Sequence, residues 1–269
     1  MCVPLGTPTS VLLGLALACH PGPTLAVTAL VTALAAGSGR DLAGCLLVLA
    51  AVLAGQLSVG WSNDAVDAGR DRALGRTGKP AVSGLVSVRP LWSAAAVALL
   101  ACVPLSLANG LLAGGFHLLG VAAAWAYNLG LKATVFSWAP YAIGFGQFPA
   151  FVSLGLPGQP WPAWWSVTAG ALLGIGAHLA NVLPDIDGDL ETGVHGLPQR
   201  LGRRRTLLLT PVFLVAAVAV LWWPAALLAA TLALAPRLVR HPAAPFQSAV
   251  AVAALAVVLL LARGTGQPL

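Results

Sequence analysis

The 269-residue chain is 58% hydrophobic, has only 8% charged residues and has a mean hydropathy of +0.88, which excludes a soluble globular domain and indicates an integral membrane protein. Its net charge of +6 is not accompanied by an aromatic-basic surface or any nucleic-acid motif, so the charge speaks for membrane sidedness and no nucleic-acid partner is expected. Cys2, Cys19, Cys45 and Cys102 are scattered through apolar stretches without metal or redox spacing.

Taken in chain order, apolar runs of near-spanning length predict nine helices. They fall at 10–37 (bent by Pro21 and Pro23), 42–65, 90–109, 114–132, 134–155, 163–184, 206–222, 224–237 and 245–262. The run ending at Cys19 has the look of a secretory signal, but no Lys or Arg precedes Arg40, so it is expected to remain as helix. Only Trp222-Trp223-Pro224 divides the seventh helix from the eighth. The fold class is therefore an all-α, multi-pass membrane protein forming a single domain over 1–269. Two four-helix halves, about 10–132 and 134–240, are followed by a ninth helix. Trp61, Trp92, Trp161, Trp222 and Trp223 sit near helix ends, as interfacial anchors do.

Alternating nine helices sorts the fourteen basic residues strongly. One side collects Arg70, Arg72, Arg76, Lys79, Arg89, Lys132, Arg200, Arg203, Arg204, Arg205, Arg237 and Arg240, and the other receives only Arg40 and Arg263. The positive-inside rule then puts the N-terminus on the cytoplasmic face of the cell membrane.

One stretch occurs twice on that face. Residues 63–84 and 181–202 align at an offset of 118 with seven identities, in the pattern N-x3-D-x3-D-x3-G-x2-G-x-P-x3-G. The copies hold seven of the eight acidic residues, namely Asp64, Asp67, Asp71, Asp185, Asp187, Asp189 and Glu191. Positions i, i+4 and i+8 of a helix lie within about 80° of arc, so the Asn and two Asp of each copy are expected on one face. Carboxylates this close repel unless a proton or cation intervenes. Several oxygens without a His/Cys cluster favour a hard cation, Mg2+ above all, which is usually held by one or two carboxylates plus substrate phosphates. The copies follow the second and sixth helices, so facing halves would bring them together over a cavity.

With these motifs the chain resembles the UbiA-type intramembrane prenyltransferases. Their first signature, NDxxDxxxD, is present without gaps as Asn63, Asp64, Asp67 and Asp71, and their second, DxxxD, is matched by Asp185 and Asp189. The resemblance implies two Mg2+ ions bridging the motifs to the diphosphate of an isoprenoid, with a lateral opening for the lipid tail. It makes Asp64, Asp67, Asp71, Asp185 and Asp189 the expected catalytic metal set, with Asn63 and Asn181 as added oxygen donors. Two features depart from the family pattern. Tyr127 and Lys132 are five apart where many members have Tyr-x-x-x-Lys, and Val182 stands where some second motifs carry a further Asp.

The implied activity is transfer of a prenyl group from an isoprenyl diphosphate to an aromatic or lipid acceptor. Arg70, Arg72, Lys79 and Lys132 are the candidates for diphosphate contact; Arg203 to Arg205 are read as topology anchors. Tyr127 and Asn128, with His178 on the motif-bearing face of the sixth helix, are the candidates for acceptor binding. His20 is a weaker analogue of His178, and Asp187 and Glu191 are outer contributors. Phe136, Trp138, Tyr141, Phe145 and Phe148 are expected to line an isoprenoid channel or shield a cation. A terpene cyclase using the same ionisation, and a cation transporter built on intramembrane carboxylates, are the alternatives.

Overall fold

Proline and glycine set the breaks in the chain. A computed structural model describes residues 7–235 and 244–264, so Arg237 and Arg240 and the predicted end of the eighth helix lie outside the described residues. The helices are α1 (Pro8–Ala18), α2 (Pro21–Gly37), α3 (Leu42–Ala73), α4 (Pro80–Ser83), α5 (Val88–Leu107), α6 (Leu111–Leu129), α7 (Ala139–Gly146) and α8 (Phe148–Ser153). They continue with α9 (Trp164–Val182), α10 (Ile186–Glu191), α11 (Leu197–Leu201), α12 (Arg203–Trp222), α13 (Ala226–Leu234) and α14 (Ala244–Gly264).

The expected 10–37 helix is divided. Pro21 starts a new helix, His20 takes a left-handed conformation (φ 54°), and α1 and α2 meet at 59°. The second helix runs eight residues past its expected end, from 65 to Ala73, and carries the whole first motif. The expected 134–155 helix is replaced by a turn through Thr134–Trp138 and two short helices, α7 and α8, joined at Gln147.

By length and composition, Leu42–Ala73, Val88–Leu107, Arg203–Leu234 and Ala244–Arg263 can each cross a membrane, and the α1–α2 pair adds a fifth if its two bent halves are one span. The run from Arg203 to Leu234 is not straight, because Trp222 is extended (φ −161°, ψ 101°). At one end of α14, Ser248 donates to the Leu232 carbonyl late in α13; at the other, Arg263 donates to the Leu221 carbonyl late in α12. Because α14 starts under the acidic copies and ends beside Trp165, at the start of α9, α13 must return along α12 as a hairpin. The Trp222-Trp223-Pro224 boundary is therefore a chain reversal.

In lipid the helices associate through close packing rather than water exclusion, and small residues allow it. Two glycines matter for the site. A Cβ on Gly60 of α3 would lie 2.6 Å from the Cys19 carbonyl oxygen, and one on Gly174 of α9 would lie 2.2 Å from that of Tyr141. These approaches seat α3 against the α1–α2 break and α9 against α7. Val48, Phe151, Leu214, Leu221 and Val252 close the core between α3, α8, α12 and α14. Arg40 and Arg263, the two basic residues assigned to the opposite side, do lie at the other end of the bundle. Arg40 bonds Asn109 Oδ1 at 2.7 Å, and Arg263 stacks over Trp165 at 4.6 Å.

Candidate active site

The two copies share a loop more than a helix. Gly75 and Gly193 both have left-handed φ (63° and 80°), and each ends its helix. Pro80 and Pro198 each start a short helix, α4 and α11, and Gly84 and Gly202, again with positive φ (82° and 78°), terminate them. The segments before these loops differ. The first motif lies on the unbroken α3, whereas Pro184 ends the helix in the second copy. Asn181 therefore remains on α9, Asp185 caps α10 and Asp189 lies within it. The expectation that the second trio shares one continuous helical face is corrected by that proline.

The loops and helices bring the copies together crosswise. Arg70 donates to Asp67 at 2.9 Å and reaches Asp189 at 3.5 Å. Arg76 contacts Asp71 at 3.2 Å and Asp185 at 2.8 Å. Asp67 corresponds to Asp185 and Asp71 to Asp189 in the repeat, so first pairs with second and second with first, as in two units related by a local two-fold. Lys132, in the turn after α6, pairs with Asp67. Gln199 of α11 donates to Asp189 at 2.7 Å. Burial pushes the Asp189 carboxyl up from the usual range, against the opposing pull of Arg70 and Gln199.

These groups line the end of a cavity of about 550 Å³ that includes Asn63, Asp67, Asp71, Asn181, Asp185 and Asp189. Asp64 does not line it. Its buried carboxylate points instead to the α1–α2 break, where His20 Nε2 lies at 2.9 Å and Lys79 Nζ at 2.7 Å. One residue on from Asn63 is a turn of about 100° around the helix, off the face that carries Asn63, Asp67 and Asp71. Arg72 is exposed and outside the cavity, unlike Arg70, Arg76, Lys79 and Lys132. Asp187 and Glu191 are exposed, as outer residues.

Of the acceptor candidates, Tyr127 and Asn128 line the cavity. The amide of Asn128 is fully engaged: Nδ2 donates to the Val59 carbonyl (3.0 Å) and Ser62 (2.9 Å), and Oδ1 accepts from Asn63 (3.1 Å). His178 stands behind the wall, with Nε2 3.1 Å from Ser137 Oγ and its ring against Tyr127 and Tyr141. Tyr141, Phe145 and Phe148 line the cavity as expected; Phe136 is exposed and Trp138 lies outside it. The sequence reading missed the bridging role of Arg76, the His20–Asp64 pair and Gln199.

A hard divalent ion fits this end. The donors are carboxylate and amide oxygens from both copies. Among the described residues no group of three or more His, Cys, Asp or Glu closes into a cage. Such oxygen donors suit Mg2+, which takes one or two carboxylates and completes its shell with phosphate and water oxygens.

A family model described as the UbiA prenyltransferase family matches residues 23–263. Among solved structures, a UbiA homologue from Archaeoglobus fulgidus bound to GPP and Mg2+ superposes with a TM-score of 0.68 at 17% identity, covering 93% of this chain and 98% of that one. The apo structure of a UbiA homologue from Aeropyrum pernix K1 gives 0.68 at 21% identity, covering 91% and 97%. A digeranylgeranylglyceryl phosphate synthase structure gives 0.62 at 18% identity, covering 93% and 96%. These likenesses show a shared fold. No curated protein matches the sequence.

Proposed function

This chain belongs to the UbiA prenyltransferase family, and from that premise we propose that its two aspartate-rich copies form one diphosphate site. There the enzyme transfers a prenyl group from an isoprenyl diphosphate to an aromatic or lipid acceptor and releases diphosphate. The observation that carries this reading is the crosswise bridging of Asp67 with Asp189 by Arg70 and of Asp71 with Asp185 by Arg76. Four carboxylates and four cations are interleaved at one end of an otherwise largely apolar cavity, an arrangement suited to an anion that arrives with divalent metal.

Asn63, Asp67 and Asp71 from α3, with Asn181, Asp185 and Asp189 from the second copy, would hold two Mg2+ ions. Bound Mg2+ supplies charge neutralisation of the departing diphosphate. Arg70, Arg76, Lys79 and Lys132 turn from carboxylate to diphosphate oxygens and stabilise the same developing charge. Asp64, held by His20 and Lys79, fixes α3 against the α1–α2 break and orients Lys79. Tyr141, Phe145 and Phe148 exclude water from the allylic cation and offer it their π faces. The acceptor approaches beside Tyr127; Asn128 and His178 hold the wall that positions that ring.

We further propose nine membrane crossings, with the short α7–α8 pair and the α12–α13 hairpin counted within them and the site facing the cytoplasm. A cation transporter does not fit an enzyme family. The test is incubation of the purified protein with allylic diphosphates, with and without Mg2+ and candidate acceptors. Mg2+-dependent diphosphate release coupled to acceptor prenylation is expected. A cyclic hydrocarbon formed without acceptor would establish the cyclase instead, and no metal-dependent release at all would overturn the reading.

A further inference from the structure

Three helices run unbroken from the acidic end of the cavity toward the opposite membrane face. On α9 the lining positions are Asn181, Ala177 and Leu173, then Gly170 and Ser166; on α2 they are Thr24, Val27 and Leu30, then Leu34. On α14 they are Phe246, Ala249 and Ala253, then Ala256 and Leu260. Steps of three, four and seven keep each set on one helical face. The earlier residues of each set line the 550 Å³ cavity, and the later ones line a second space of about 70 Å³ beyond it. Val27, Leu30, Phe145, Phe148, Leu173 and Ala253 line both and stand between them.

This spur is apolar. Its one polar side chain, Ser166, donates its hydroxyl to the Ala163 carbonyl at 2.7 Å. At its far end Leu34, Ser166 and Leu260 are buried. A Cβ on Gly37 would lie 2.4 Å from Leu261, so α2 and α14 touch there.

The other deep wall of the cavity is polar, with Gln56, His117 and Gln147. Ser106 Oγ donates to the Cys102 carbonyl at 2.6 Å and so accepts from His117 Nδ1 at 2.7 Å, which leaves Nε2 as an acceptor. Gln147 Nε2 donates to the Gly144 carbonyl at 3.0 Å, and its Oε1 has no partner. A hydrocarbon laid against that wall would cover the His117 Nε2 acceptor, whereas in the spur it meets carbon.

The helix rise gives the depth. From Asn181, beside the acids, Leu173 lies eight residues and about 12 Å away, and Ser166 fifteen residues and about 22 Å away. An isoprene unit adds four carbon–carbon bonds of about 1.5 Å, or about 5 Å when zigzagged and extended. Two units reach Leu173, and four units reach the buried end at Ser166.

We propose that the spur is a chain-end subsite, so that this enzyme takes prenyl diphosphates of up to four isoprene units, with Leu173 and Phe148 metering entry. The inference rests on the diphosphate lying at the acidic end, as argued above. It is tested on the full-length protein with Mg2+ and geranyl, farnesyl, geranylgeranyl and hexaprenyl diphosphates, read both as protection against heat and as diphosphate release. Apparent affinity is expected to rise to geranylgeranyl and to fall at least tenfold at hexaprenyl. Ala256→Phe, filling the spur from α14, should lower the geranylgeranyl-to-geranyl ratio at least tenfold, and Leu173→Ala should raise it. Ala169→Leu fills the same space from α9 and serves if Ala256→Phe fails to fold. Hexaprenyl binding as tight as geranylgeranyl, or a ratio that the filling variants leave unmoved, overturns the inference alone. Absence of Mg2+-dependent protection by every chain length overturns the diphosphate site and this inference with it.

Discussion

Removing the Arg76 guanidinium is expected to destabilise the protein by an amount that follows from its two contacts, one within the first copy and one across to the second. Arg76 is about a quarter exposed, Asp71 is buried and Asp185 is about half exposed. Its 3.2 Å contact with Asp71 is a charged hydrogen bond to a buried group, a class that contributes about 1.5–3 kcal/mol. Its 2.8 Å contact with Asp185 is screened by solvent and contributes roughly 0–1 kcal/mol. Arg76→Met keeps much of the stem and removes both, so about 2–3 kcal/mol should be lost. For a chain of this size that corresponds to a fall in Tm of roughly 4–12 °C. Thermal melting of the detergent-solubilised protein measures it, within a cycle that also includes Asp71→Asn and the double variant. If the two side chains stabilise each other, the double variant loses less than the sum of the singles, with a coupling of about 1–3 kcal/mol. Strict additivity would refute the Arg76–Asp71 contact, and an unchanged Tm for Arg76→Met would refute both contacts of the bridge.

Further expectations concern individual residues and sidedness. Asp64→Asn should lower Tm, because Asp64 braces the α1–α2 break through His20 and Lys79, while changing the Mg2+ concentration for half-maximal activity less than threefold; a large shift in that midpoint would make Asp64 a metal ligand. Gly196→Ala should depress activity severely, because the added Cβ would lie 2.4 Å from the Lys132 carbonyl oxygen and displace the turn that holds Lys132 against Asp67; wild-type turnover in this variant would contradict that placement. In a Cys45→Ala background, cysteines introduced at Ser83 and Arg204 should be shielded from an impermeant external reagent. Labelling of both would end the cytoplasmic assignment. Arg204 is preferable to Gly202, whose φ of 78° a side chain would strain.

Much of this site was legible in the sequence because its logic is local. The repeated Gly and Pro positions report backbone needs, and the structure gives Gly75 and Gly193, and Gly84 and Gly202, matching positive φ. The face shared by Asn63, Asp67 and Asp71 follows from helical periodicity alone, and the same arithmetic sets Asp64 aside. Hydropathy ends the second helix at 65, where the apolar run stops. In the structure Ala65, Ala68 and Ala73 favour helix and Asp67 pairs with Arg70 at i+3, so the helix continues. Partner choice was not legible. Arg76 lies in a turn and touches Asp185, more than a hundred positions away, and only tertiary packing brings them together. The repeat is asymmetric in its cations: the positions matching Arg70, Arg76 and Lys79 are Gly188, Val194 and Leu197. The bridging cations of the motif loops thus come from the first copy alone.

The central claim is that two distant copies form one diphosphate site. It is tested most directly by Mg2+-dependent diphosphate release from an allylic diphosphate by the wild type, Asp67→Asn, Asp185→Asn and the double variant. Groups acting as a unit are strongly non-additive, so each single change should cost at least a hundredfold in turnover, with the double variant scarcely worse. A fully active Asp185→Asn, or losses that multiply independently in the double variant, would contradict the single site.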